Sequence, residues 1–145
     1  MGIRESRFNG VFRRELTKWG FKFDRIESHA TAPGLPDNTF VHKDTYLSGW
    51  IEVKEEMIIP VRVKYRPKQA FWMQRHVRAN GNAMTIIHIK KLKAIVLVPG
   101  RYSFNAEKDL RSLVLTEQAL LLKISDGWDA IAAAIINQCK HTRRS

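Results

Sequence analysis

The chain predicts a single α/β domain with a mixed central sheet, and three observations carry that prediction. Segments of helical period and segments of alternating or β-branched character follow one another as α-β-β-β-α-β-β, and helical pieces complete the chain. Glycine and proline punctuate the joins, at Gly20, Pro33-Gly34, Pro67, Gly81 and Pro99-Gly100. With 145 residues, 44% of them hydrophobic, the chain is long enough to bury one core, which argues against wholesale disorder.

Residues 4–19 predict an amphipathic helix ended by Gly20, with Phe8, Val11, Phe12, Leu16 and Trp19 as its apolar stripe. Phe21 to Glu27 reads as the first strand and Ser28 to Leu35 as a loop. Thr39 to His42 is a short strand, Lys43 to Ser48 a turn, and Trp50 to Lys54 the next strand. Met57-Ile58-Ile59 either extends that strand or packs as an excursion. Pro67 to Asn80 predicts a helix, with proline in its first turn and Gly81 past its end. Met84 to Ile89 and Ala94 to Val98 are strands joined by the basic turn Lys90 to Lys93. Ala106 to Leu113 and Thr116 to Lys123 read as short helical pieces. Ser125 or Asp126 then caps a last helix with an apolar seam of Trp128, Ile131, Ile135 and Cys139. The expected core is about 4–98, and about 104–140 is a helical addition within the same domain.

Charge narrows the partner. A formal net charge of +11 on so small a domain points to a polyanion, with nucleic acid ahead of an anionic membrane surface. The basic residues are spread along the chain, which predicts a charged face or groove. One cysteine, Cys139, gives no intramolecular disulfide, and no run has the apolar length of a membrane-spanning helix. The polar N-terminus lacks a signal peptide's apolar core, so a cytosolic or nucleoid-associated protein is expected.

The chemistry concentrates in Gly34-Leu35-Pro36-Asp37 and, fifteen residues on, Glu52-Val53-Lys54. Alternation on a strand turns Glu52 and Lys54 to one side and Ile51 and Val53 to the other. Two carboxylates and an ammonium can then converge, a grouping suited to a hard divalent cation with a lysine beside it. An acid-x-base triplet alone is more often a solvated strand face, and Asp37 alone could be an Asx-turn residue. Glu15 falls within the apolar stripe of the first helix, where a carboxylate is costly unless it is paired or binds metal. An ion pair to a nearby lysine or arginine is the other reading of Glu15, and Glu5 is its rival as the acid of that helix. Gln69 opens the following helix, sharing a side with Trp72, Met73 and His76.

In this order, these residues resemble the PD-(D/E)XK nuclease superfamily, and within it the small Holliday-junction resolvases and VRR-NUC type domains. The resemblance covers roughly residues 10–98. It implies a restriction-endonuclease-like α-β-β-β-α-β core and Mg²⁺-dependent hydrolysis of DNA, with Mn²⁺ able to substitute. It implies Glu15, Asp37, Glu52 and the Val53 carbonyl as metal ligands. Lys54 would then stabilise charge at the phosphate or position the water, and Gln69 would support the site. Branched DNA as substrate, a homodimer with two active sites, and a viral or mobile-element source as one option also come from the resemblance. The fifteen-residue link from Asp37 to Glu52 is long for the small resolvases. Lys68, Arg75 and Arg78 are candidate phosphate contacts, or a solvated helix face.

Other chemistries lack their motifs. The five histidines show no HExxH spacing, one cysteine excludes a zinc-finger pattern, and no P-loop or nucleophile elbow is present. An idle nucleic-acid-binding module on the same fold and a basic assembly protein are the alternatives to an enzyme.

Overall fold

A computed structural model describes residues 7–26 and 34–144, so Glu5, Ser28, His29 and Pro33, and the side chain of His141, lie outside it. The elements run α1 (Arg7–Thr17), β1 (Phe21–Arg25), β2 (Asn38–His42), β3 (Ser48–Glu56), α2 (Gln69–Arg78), β4 (Ala83–Ile89), β5 (Ala94–Pro99), α3 (Ser103–Leu115), β6 (Leu120–Lys123) and α4 (Trp128–Arg144). The six strands form one sheet in sequence order. Every neighbouring pair is antiparallel except β3 and β4, which are parallel and joined through α2.

The long Asp37–Glu52 link is filled by a hairpin: β2 turns back through residues 43–47 and pairs with β3 from Asn38↔Ile51 to Val41↔Ser48. That pairing sets Asp37, one residue before β2, beside Glu52.

Period-two alternation sorts β3 between two layers. Ile51 and Val53 join Phe40, Met84, Ile86, Ile95 and Leu97 under α1 and α4. Phe12 and Leu16 of α1 are fully buried there, about 2–3 kcal/mol of apolar transfer each. The Ile131, Ile135 and Cys139 seam of α4 is buried in the same core and covers the sheet. On the other face, Ile87, Ile89, Val96 and Val98 pack against Ala106, Leu110 and Leu113 of α3.

The connection from β3 to α2 is an excursion, not an extended strand. It is stitched into an opening in α3. Asp109 leaves helical geometry, at φ −159° and ψ 88°. In an unbroken helix the Leu110 N–H would reach the Ala106 carbonyl. Here Leu110 N–H donates to the Val61 carbonyl at 2.7 Å, and the Ala106 carbonyl accepts from Val63 N–H at 2.9 Å. Arg111 adds two bonds to the Ile59 carbonyl. Val63 is thereby buried, and the chain is delivered to Tyr65 and Arg66 beside the sheet.

Three sequence expectations change. Thr116 to Lys123 is a turn followed by β6, because Leu120, Leu121 and Leu122 find the free edge of β5 (Leu97↔Leu120 to Ala94↔Lys123). Neither Ser125 nor Asp126 caps α4; both lie in a short 3₁₀ turn, and the chain enters α4 through Gly127 at φ +107°. Asn80 at φ +69°, not Gly81, supplies the left-handed residue after α2.

Candidate active site

Glu52 is the centre of the site. It lies on β3, opposite Thr85 in the register, and is only 4% exposed. Its Oε1 accepts the Asp37 N–H at 3.0 Å, which ties the loop carboxylate to the strand carboxylate. Lys54, two residues on and on the same face, brings Nζ to 3.7 Å from Glu52 Oε2. Its ammonium also lies 5.4 Å above the Tyr65 ring. Tyr65 in turn shares a 2.7 Å hydrogen bond with Thr85, and burial pushes its phenol pKa up.

Arg66 completes the cluster. Its Nη2 is 3.7 Å from Asp37 Oδ1 and 3.6 Å from Glu52 Oε1, and it donates to the Leu35 carbonyl at 2.5 Å. One guanidinium therefore bridges both carboxylates. Burial, with the Asp37 charge second, nevertheless pushes the Glu52 carboxyl up to about 7, against the pull of Lys54, Arg66 and the Asp37 N–H.

Gln69 is fully buried in the first turn of α2. Its Oε1 accepts Arg66 N–H at 3.3 Å, while its Nε2 has no hydrogen-bond partner among the described residues. A donor closed off in this way is the kind that a buried water satisfies.

Glu15 stands differently. Its carboxylate pairs with Lys18 Nζ at 3.1 Å, the ion-pair alternative left open by the sequence. The charges that bear on Glu52 are Asp37, Lys54 and Arg66. The polar side chain that α1 does turn inward is Asn9, 5% exposed, whose Oδ1 accepts from Asn38 Nδ2 at 3.1 Å next to Asp37. Val53 points its side chain into the α1/α4 core. Glu55 serves a different purpose: its Oε1 accepts Phe8 N–H at 3.2 Å, placing an anion at the positive end of α1. Lys68 and Arg78 are exposed at the two ends of α2, and Arg75 lies between them, 5.5 Å from the Phe71 ring.

Among the described residues, no three His, Cys, Asp or Glu side chains converge as a metal cluster. The oxygen donors of Asp37 and Glu52 still fit a hard cation. Mg²⁺ is commonly held by one or two carboxylates with water and phosphate completing its shell. Burial first and the neighbouring Asp37 charge second raise the Glu52 pKa, and a cation held by these acids would offset both effects. Sequence reasoning missed Arg66, Tyr65 and Asn9. Arg66 had one signal, its place just before Pro67 and Gln69.

No family model and no curated protein matches the chain. Solved structures do match. One is the Holliday junction resolvase Hjc of the archaeal hyperthermophile Archaeoglobus fulgidus. It is 20% identical, with a TM-score of 0.56 over 72% of this chain and 84% of that one. The likeness is one of fold: a mixed sheet flanked by helices, of restriction-endonuclease-like type.

Proposed function

We propose that this chain is a metal-dependent endonuclease acting on branched DNA, of the Holliday-junction-resolvase kind. The observation that carries the reading is the meeting of Asp37, Glu52 and Lys54 on a resolvase-like fold, with Glu52 bonded to the Asp37 N–H at 3.0 Å and Lys54 3.7 Å from Glu52. Asp37 and Glu52 would hold Mg²⁺ or Mn²⁺, which supplies charge neutralisation and water activation at the phosphate. Lys54 presents a compact positive charge to the phosphate oxygens. Gln69 supports the site from within, its buried Oε1 accepting the Arg66 N–H. The +11 charge steers the chain to the polyanion. Cutting both strands of a junction needs two sites, so two copies act together, in the cytosol or on the nucleoid.

One observation favours a second reading. Arg66 already bridges both carboxylates, so the acids have an internal counter-ion. An idle nucleic-acid-binding module would keep that arrangement. The test is cleavage of a labelled four-way junction beside linear duplex and single strand, with Mg²⁺, Ca²⁺ and chelator. The proposal expects Mg²⁺-dependent cutting of the junction, little cutting with Ca²⁺, and loss of cutting in Asp37→Ala with binding retained. Binding without cutting under all metals assigns the idle module. Wild-type cutting by Asp37→Ala removes this site.

A further inference from the structure

The exposed side of α2 carries a cavity of about 430 Å³ that the carboxylate chemistry does not use. Lys68, Phe71, Trp72, Arg75 and His76 line it. Trp72 and His76 stack at 4.7 Å between ring centres and 12° between planes, and Trp50 abuts Trp72 edge-on at 5.3 Å. The Arg75 guanidinium lies 5.5 Å from the Phe71 ring centre, yet Phe71 keeps 51% of its surface open. A solvated helix face has no need of three aromatic rings and two cations around one hollow. Lys68 is held there by a left-handed backbone, φ +68°, which is unfavourable for a side chain of that kind.

One backbone segment links the cavity to the acids. Gly34, at φ +94°, runs so close that a Cβ would lie 2.8 Å from the Lys68 carbonyl and 3.1 Å from Trp72 Cβ. Three residues later the same stretch of chain reaches Asp37. The cavity and the carboxylate pair thus flank one short backbone segment.

We infer that this cavity holds an unpaired nucleotide of the DNA substrate, its base against the Phe71 and Trp72 rings and its phosphate against Lys68 and Arg75. The inference rests on the reading of DNA as partner and deepens it, since it selects DNA with unpaired bases near the cut: a flap, a bulge or an opened junction centre. Rings supply a face that any base can stack on, and cations supply the phosphate contact. A paired base cannot offer its face, so duplex alone gains nothing from the rings. A second copy seated here two-fold would set Lys68 and Arg75 against their own counterparts, which disfavours a dimer contact.

The test uses the full chain in chelator, so that nothing is cut. Duplexes carry 2-aminopurine either in an unpaired bulge or fully paired, and both binding and fluorescence are read. Wild type should prefer the bulged DNA and quench the unpaired 2-aminopurine. Phe71→Leu, which keeps apolar surface and removes the ring, should lower the bulged-over-paired preference about tenfold, and Phe71→Trp should retain it. An unchanged preference in Phe71→Leu, or no quench in wild type, overturns the inference. Sedimentation that shows Phe71→Leu splitting a dimer, with the DNA preference intact, also overturns it and makes the face an interface between copies. Quenching by a chain that cuts nothing would keep the stacking site and remove the nuclease. Junction cutting with no quench would do the reverse.

Discussion

Replacing Glu52 with glutamine should make the folded chain more stable at neutral pH, and the gain should vanish in acid. The carboxyl stands at about 7, against 4.5 for an unperturbed glutamate. Because the folded state holds this proton more tightly than the unfolded state, the Glu52 contribution to wild-type stability falls as pH rises from 4.5 to about 7, then levels off. At about 1.4 kcal/mol per pH unit, the loss is about 3 kcal/mol. The glutamine amide does not titrate and fills nearly the same volume as the carboxyl, so the Glu52→Gln variant lacks that descent. The other carboxylates titrate in both proteins, so the difference curve reports Glu52 together with its coupling to Asp37. Urea unfolding from about pH 4 to about pH 8.5, without divalent metal, measures it directly, since that span brackets both the unfolded and the folded pKa. Thermal unfolding at about pH 8 should show the variant about 10 °C above wild type for a chain of this size. Parallel stability curves for the two proteins would refute the reasoning, because they would mean that Glu52 is no more costly to ionise in the fold than in the open chain.

Lys54→Ala should slow junction cleavage about hundredfold with binding largely kept, and Lys54→Arg should not restore it, because the ammonium sits over Tyr65 where a broad guanidinium is differently placed; full activity in Lys54→Arg would reduce this lysine to a generic charge. Glu15→Gln should cost about 0.5 kcal/mol or less, the scale of an exposed ion pair, and leave cleavage near wild type; a large loss of rate measured beside an unchanged melting curve would return Glu15 to the metal. Gly34→Ala should destabilise the fold by about 2 kcal/mol, from positive φ and the approach to the Lys68 carbonyl, and circular dichroism melts would expose an unaffected variant. Binding to duplex should weaken steeply with salt, and a log–log slope near zero would remove DNA as partner.

The parts of the site that a period-two pattern governs were legible before the structure. Ile51 and Val53 enter the core while Glu52 and Lys54 share the other face, as strand alternation requires. Gln69 was legible as the opening of α2, although its buried, unmatched amide was not. Arg66 was hidden because it arrives by a long-range route, through bonds between residues 61–63 and α3 that no local pattern announces. Glu15 shows the limit of a helical wheel. The angle put it inside the stripe, but a residue at the stripe's margin can turn to Lys18 and stay partly wet. Residues 120–122 are three leucines, good helix formers, and they became β6 because the edge of β5 was there to be paired.

The opened helix in α3 has a consequence for the order of folding. A helix ordinarily closes its own hydrogen bonds in sequence, but the middle of α3 cannot. Leu110 N–H waits for Val61 and the Ala106 carbonyl waits for Val63, across more than forty residues of chain. Closing so large a loop is slow compared with local turns. The expectation is that the two halves of α3 lock late, when the connection from β3 docks, and that Arg66 reaches the acids in the same event. Native-state hydrogen exchange tests whether these bonds open as one unit. The Val63 and Leu110 amides should share one opening free energy, higher than that of amides at the ends of α3, and Leu110 exchanging at the pace of a fraying helix end would contradict it.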